Sequence, residues 1–420
     1  MSALASAAIV AIGSELLTPL RVDTNSLVIT EALNRLGLPL VGKAVVGDDR
    51  QALAHTLRHF LQQADLVVCC GGLGPTDDDV TREAVADVLE RPLREDAGIA
   101  QRLRERWAAR GETMPEINRR QAMVPEGAVV LANDRGTAPG LWIDIGRQVV
   151  VLLPGPPREM RPMLDRLAGE RLAARATGLS LVRRIVRVTG RTESQTEESM
   201  QPCYRTWSGW QPPVWATILA SLGQVDLHLS ATAPRATDAE AVLAQAVDDV
   251  VAVLGSDVYS IDGQALEVEL GALLVRRGLR VAVAESCTGG LITSRLTDVP
   301  GSSRYVERSI VSYSNLSKTE LLGVPERLIR AEGAVSEAVA RAMAEGVRRC
   351  AGVEIGIGVT GVAGPDGGTP DKPVGTVAIA VALGDDVQVA TRRFLGERDM
   401  VKFQASQAAL DMLRRRLLEM

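Results

Sequence analysis

Residues 281 to 291 read V-A-V-A-E-S-C-T-G-G-L: a short apolar strand, a turn with two glycines, and the start of a helix-like run. A strand passed through a glycine turn into a helix is the repeating unit of a layered α/β sheet. Two adjacent nucleophiles, Ser286 and Cys287, stand in that turn, so the stretch carries the fold and a chemical question together. A hydroxyl attacks only if another group removes its proton.

The same alternation runs on both sides. Downstream, S-I-V-S-Y-S (309 to 314), I-G-I-G-V-T (355 to 360) and T-V-A-I-A-V-A-L (376 to 383) read as strands, with a closing helix from about 398. Upstream, A-A-I-V-A-I (7 to 12), L-V-G-K-A-V-V (40 to 46), D-L-V-V-C-C (65 to 70) and Q-V-V-V-L-L (148 to 153) do so. Residues 25 to 37 predict a helix with Thr24 as N-cap and Gly37 at its end. Between these blocks, 183 to 189, 214 to 219 and 225 to 232 predict strands and 237 to 254 an amphipathic helix. The turn-rich L-G-S-D-V-Y-S-I-D-G-Q at 254 to 264 reads as a boundary. The expectation is three domains: layered α/β over 1–175, a small α+β spacer over 176–254, and layered α/β over 255–420.

Composition narrows the function. A chain of 420 residues with net charge -5 has no general electrostatic attraction for nucleic acid, so no nucleic-acid partner is expected. The N-terminus lacks the basic segment of a signal peptide, and no apolar run approaches a membrane span. Five cysteines without C-x-x-C spacing argue against a zinc site or disulfide framework and predict a reducing, cytoplasmic setting. Histidine stops at His228, and only four lysines, Lys43, Lys318, Lys372 and Lys402, stand among 47 basic residues.

G-G-L-G-P-T-D-D-D-V-T, residues 71 to 81, follows a buried-type strand and leads into a helix with Glu83 in its first turn. Gly71, Gly72 and Gly74 permit close backbone approach, and amides at a helix start favour phosphate. The aspartates offer oxygen ligands to a hard cation, although Gly-Pro-Thr-Asp is also ordinary turn chemistry. The companion loops G-S-E-L-L (13 to 17), G-D-D (47 to 49), G-T-A-P-G (136 to 140) and P-G-P-P-R-E-M (154 to 160) favour a ligand site, several of them following strands. In order and spacing, this set resembles the molybdopterin-binding-like domain that opens proteins of the CinA family, through about residue 170. The resemblance implies an ADP-ribose pyrophosphatase using a divalent metal such as Mg, Mn or Co. It implies Asp79, and Asp48 or Asp49, as acidic site residues, Asp79 and Asp48 as metal ligands, and Gly71, Gly72, Gly74 and Thr76 near phosphate.

In the last third, position alone favours Ser286 or Thr288 as a helix cap. A Ser-His-Asp triad cannot form there without histidine, and arginine stays protonated. Lysine can act as base if burial lowers its pKa. Lys318 in S-Y-S-N-L-S-K and Lys372 in T-P-D-K-P-V-G are the two candidates.

These segments, with G-V-T-G-V-A-G-P-D-G-G (358 to 368) and F-L-G-E-R-D (394 to 399), resemble the CinA C-terminal, nicotinamide-nucleotide amidohydrolase domain over about 260 to 420. The resemblance implies hydrolysis of nicotinamide mononucleotide without a cofactor, with Ser286 as nucleophile, Lys318 as general base and Tyr313 in support. It also implies Ser303, Thr360, Gly361, Gly364 and Arg398 as substrate contacts, and a homodimer. Cys287 then reads as a packing residue. The family's middle domain is KH-like, but no G-x-x-G clamp for RNA is visible here. The competing expectation is a pterin- or nucleotide-binding regulatory protein in which only the C-terminal domain is catalytic.

Overall fold

The computed structural model describes residues 3–176 and 178–420. They form two compact units, Met1–Val182 with Ala231–Ala241, and Arg183–Ser230 with Val242–Met420.

In the first unit, strands β1 (Ala7–Ile12), β2 (Leu40–Val46), β3 (Leu66–Cys70), β6 (Val129–Leu131), β7 (Gly140–Ile145) and β8 (Gln148–Leu153) form one sheet, ordered β2-β1-β3-β8-β7-β6. The first four are parallel, β7 runs antiparallel to β8, and β6 runs antiparallel to β7. A separate ladder joins β4 (Leu93–Glu95) to β5 (Met123–Pro125). Alternate residues of β1 enter different cores: Ala7 and Ile9 pack with α1 (Asn25–Arg35) and α5 (Pro157–Leu167), while Ala8, Val10 and Ile12 pack with α2 (Arg50–Leu61), α3 (Thr81–Val88) and α4 (Ala97–Ala108). Helices on both faces explain why these strands read as continuous apolar runs. Thr24 is not a side-chain cap as expected; Asp23 Oδ1 accepts from Ser26 N–H at 3.0 Å instead. Gly37, at φ +68°, follows the helix end.

In the second unit, β9 (Ser180–Thr189), β10 (Val214–Ser221), β11 (Gln224–Ala233) and β12 (Val258–Ser260) form a sheet ordered β10-β11-β9-β12, accompanied by α6 (Glu193–Trp207) and α7 (Ala236–Leu254). Its fourth strand comes from beyond the boundary expected at 254, and the segments 183–230 and 255–420 share one compact unit. The acidic 191–198 stretch begins α6, with Thr192 and Gln195 forming a reciprocal capping box.

The last sheet contains β13 (Val281–Glu285), β14 (Val306–Val311), β15 (Ile355–Gly361), β16 (Thr376–Leu383) and β17 (Asp386–Arg393), ordered β14-β13-β15-β16-β17. β14, β13 and β15 are parallel. One face carries α8 (Leu266–Arg277), α9 (Leu291–Thr297) and α13 (Arg398–Leu418); the other carries α10 (Asn315–Leu322), α11 (Glu326–Glu332) and α12 (Glu337–Ala351). The strand expected over 309 to 314 is displaced to 306–311. Ser312 N–H returns to Glu285 O at 2.8 Å, and Ser314 is already the N-cap of α10.

The I-G-I-G alternation presents its isoleucines to α13 and its glycines to α12. A Cβ at Gly356 would lie 2.1 Å from Ala344 O, and one at Gly358 2.3 Å from Ala340 O. Alanines Ala378, Ala380 and Ala382 of β16 continue this small-residue face. Gly358→Ala should therefore destabilise the chain by about 1–3 kcal/mol in urea unfolding, because the helix backbone must move to admit the methyl group.

Candidate functional site

Strand order β14-β13-β15 makes the C-terminal edge of β13 a switch point, where successive connections leave on opposite sides and open a crevice. Ser286 follows β13, Ser312 and Tyr313 follow β14, and Thr360 and Gly361 end β15. The sheet thus gathers residues far apart in sequence.

The turn that carries Ser286 is fixed from beneath by Glu285. This fully buried carboxylate accepts N–H groups from Gly290 (3.0 Å), Ile292 (3.1 Å) and Thr293 (3.0 Å), and the Thr293 hydroxyl at 2.7 Å. It occupies the position where a helix start offers unpaired N–H groups and positive potential. Ser286 is therefore not the side chain holding α9. Its own N–H donates to Val359 O at 3.0 Å, while neither Cys287 N–H nor Thr288 N–H donates to a backbone carbonyl among the described bonds.

Lys318 approaches from α10, whose first turn is closed by a Ser314–Ser317 capping box. A helical side chain leans toward the N-terminus, and here that brings the amine back over the end of β14. Lys318 Nζ donates to Ser286 Oγ at 3.0 Å and Ser312 O at 2.8 Å. Lys318 is 1% exposed and Ser286 8%. Burial pushes the Lys318 pKa below the ordinary lysine value, with a smaller opposing effect from Cys287.

Cys287 is buried in the core beneath the turn, its Sγ 3.0 Å from where a Cβ on Gly361 would be, and burial pushes its thiol up to about 12. A thiol at that pKa is a poor source of thiolate. Lys372 instead donates to Glu332 O at 2.6 Å, so the competing base is tied to the end of α11.

The other expected contacts divide. Arg398, first residue of α13, donates to Gly364 O and Tyr313 Oη, both at 2.7 Å, uniting three expected residues. The Tyr313 phenol is thus paired with Arg398 and largely exposed. Thr360 donates to Ala334 O at 2.9 Å and anchors the loop before α12. Ser303 is not part of this grouping: it lies just before β14, at the opposite end of the parallel strands. Sequence reasoning missed Lys402, whose Nζ would lie 3.6 Å from a Cβ on Gly289. Its i+4 spacing from Arg398, in a chain with so few lysines, was the available signal.

The first unit repeats the architecture. Its order β2-β1-β3 creates another switch point, with a cavity of about 360 Å³ lined by the expected Asp48, Gly71, Gly72, Gly74 and Asp79. Asp79 serves the loop: Oδ1 accepts from Gly74 N–H at 2.6 Å, and Oδ2 accepts from Thr76 N–H at 3.0 Å and from the Thr76 hydroxyl. Asp48 Oδ2 accepts from Ser14 N–H at 2.7 Å, while Asp49 caps α2 through Ala52 N–H at 2.7 Å. Glu15, Asp78 and Glu159 complete the acidic lining. Among the described residues no three His, Cys, Asp or Glu side chains converge as a metal cage. The set fits a hard divalent ion held by one or two carboxylates together with a ligand's phosphate oxygens.

The matched families follow these two sheets. Residues 263–417 match the CinA C-terminal domain, and residues 8–174 match the probable molybdopterin binding domain. A CinA-like protein of Solibacter usitatus is 44% identical over 98% of each chain. The chain belongs to the CinA family. A putative competence-damage inducible protein of Symbiobacterium thermophilum is also 44% identical, over 98% of this chain and 99% of its own. The crystal structure of a competence/damage inducible protein from Agrobacterium tumefaciens is 36% identical, covering 36% of this chain and 96% of its own, with TM-score 0.35. No helix among the described residues of this CinA-family chain is long and apolar enough to cross a membrane.

The lowered pKa predicts a pH signature in stability. Between the folded-state pKa of Lys318 and 10.5, the unfolded chain binds more protons than the folded one, so stability gains with rising pH in that window. Lys318→Met should lose this gain: its Tm relative to the parent chain is expected to be highest near neutrality and to fall as pH approaches 10.5.

Proposed function

We propose that this CinA-family protein is a bifunctional hydrolase of pyridine-nucleotide salvage, deamidating nicotinamide mononucleotide in its C-terminal domain and cleaving ADP-ribose in its N-terminal domain. The observation that carries the first activity is the 3.0 Å contact between buried Lys318 Nζ and Ser286 Oγ, in a domain without histidine. The resemblance of the surrounding motifs supplies the substrate.

In this reading, neutral Lys318 removes the Ser286 proton as Oγ bonds to the carboxamide carbon. The N–H groups of Cys287 and Thr288, which donate to no backbone carbonyl among the described bonds, receive the developing oxyanion. Lys318 then returns the proton to the nitrogen, the C–N bond breaks, and ammonia leaves. Water attacks the acyl-serine with Lys318 again as base, restoring Ser286 and releasing nicotinate mononucleotide. Arg398 and Lys402, four residues apart on α13, are suited to hold the substrate phosphate.

Ser286→Ala and Lys318→Ala should each lower ammonia release by at least about 10²–10⁴-fold while leaving metal-dependent AMP release from ADP-ribose intact. An active Ser286→Ala enzyme would refute the nucleophile. In the parent chain, kcat/KM for deamidation should rise with pH to a plateau reached below the ordinary lysine range, because only neutral Lys318 is a base. Lys402→Ala should raise KM for nicotinamide mononucleotide by roughly tenfold, with little change for the dephosphorylated nucleoside.

For ADP-ribose, Asp48 and Glu15 are the carboxylates best suited to hold a divalent ion, since Asp79 is committed to its loop. Bound there, the ion would supply charge neutralisation at the pyrophosphate. The amides of the Gly71–Gly74 turn would hold phosphate oxygens. That same commitment of Asp79 supports a second reading, in which the N-terminal domain binds a pterin or nucleotide without cleaving it. Isothermal titration of ADP-ribose, paired with an AMP-release assay across divalent metals, separates the readings: binding without turnover favours the second. The proposed setting is the cytoplasm, in keeping with five free cysteines, and the proposed assembly is a homodimer.

A further inference from the structure

A cavity of about 540 Å³, within the usual ligand-pocket range of roughly 300–1,000 Å³, lies in the second unit between α13, β17 and the turns of the middle sheet. Neither Ser286 nor Lys318 lines it. Val387 and Val389 of β17 pack with the alanines of α12, so strand alternation turns Gln388, Ala390 and Arg392 toward the cavity. The opposite walls are the Thr189–Thr192 connection into α6 and the β10–β11 turn, where a Cβ on Gly223 would lie 3.3 Å from the Gln407 side chain.

Most polar groups around the cavity satisfy one another. Arg415 holds Asp411 at 2.6 Å and Asp257 at 2.8 Å, and Arg191 also pairs with Asp257. Two groups do not. Arg392 makes no ion pair or hydrogen bond among those described, although it lines the space. Gln407 is 1% exposed; its Oε1 accepts from Arg295 at 2.6 Å, but its Nε2 has no acceptor. That nitrogen has no surface open to the cavity, so the space offers a ligand the aliphatic stem of Gln407 instead. Phe394 and Met412 add a wall for a planar ring, and Glu193, the unpaired carboxylate of the lining, favours a ligand with only one anionic end.

We propose that this cavity is a second small-molecule site, for a nucleoside monophosphate or a compound of that size with a planar ring and one phosphate. The ring lies against Phe394 and Met412, and the phosphate lies on Arg392. Binding here does not depend on the deamidase reading.

The test is hydrogen–deuterium exchange of the full chain with AMP as probe, followed by peptide. Occupation of this cavity slows exchange over 189–195 and 220–225, whereas occupation of the N-terminal loops reports at 71–79. The AMP concentration giving half-maximal protection should rise by about tenfold or more in Arg392→Glu, a change at an exposed residue. Absence of protection over 189–195 and 220–225 at millimolar AMP would overturn the proposal. So would an unchanged midpoint in Arg392→Glu, or equal protection by inorganic phosphate alone.

Discussion

The proposed deamidase site depends on keeping a lysine amine out of water. Buried beside Ser286 Oγ and the Ser312 carbonyl, Lys318 loses much of the hydration that stabilises its ammonium form. The resulting fall in pKa lets the side chain accept a proton at a lower pH than an ordinary lysine would. A more solvated position would offer the same amine as a cation only, and the serine would have no base.

That burial requires two rigid supports. Glu285 places the Ser286 turn by filling the start of α9 with a carboxylate, so Ser286 is relieved of capping and its hydroxyl can face Lys318. The capping box of α10 starts that helix immediately after β14 and thereby returns Lys318 over the strand end. The glycine face of β15 brings α12 close to the sheet from the same side as α10, closing the layer around them. Fold stability and base activation meet in these few turns.

The two large sheets share a device. Each begins with the order 2-1-3, and each collects its glycine turns at the C-terminal edge of parallel strands. Their chemistry differs because the residues delivered differ: a serine and a lysine in one, carboxylates and exposed loop amides in the other. In the N-terminal cavity, Asp79 shows how a residue suited to metal binding can instead be consumed in shaping its own loop.

Much of this was legible in sequence for local reasons. Apolar runs and glycine turns set the strand positions, and the absence of histidine after His228 restricted the base to lysine before any geometry was known. Ser286, Lys318, Arg398, Gly364 and Tyr313 were all named from motifs, but their grouping was not a local property. Only the sheet order could put the end of β14 beside the end of β13, exclude Ser303 at the far edge, and tie Lys372 to α11. Likewise, sequence identified Asp79 as acidic, whereas hydrogen bonding decided what its oxygens do. Residue type and short-range pattern determine which elements form and which chemistry is available; burial and long-range strand pairing determine which groups meet and in which protonation state.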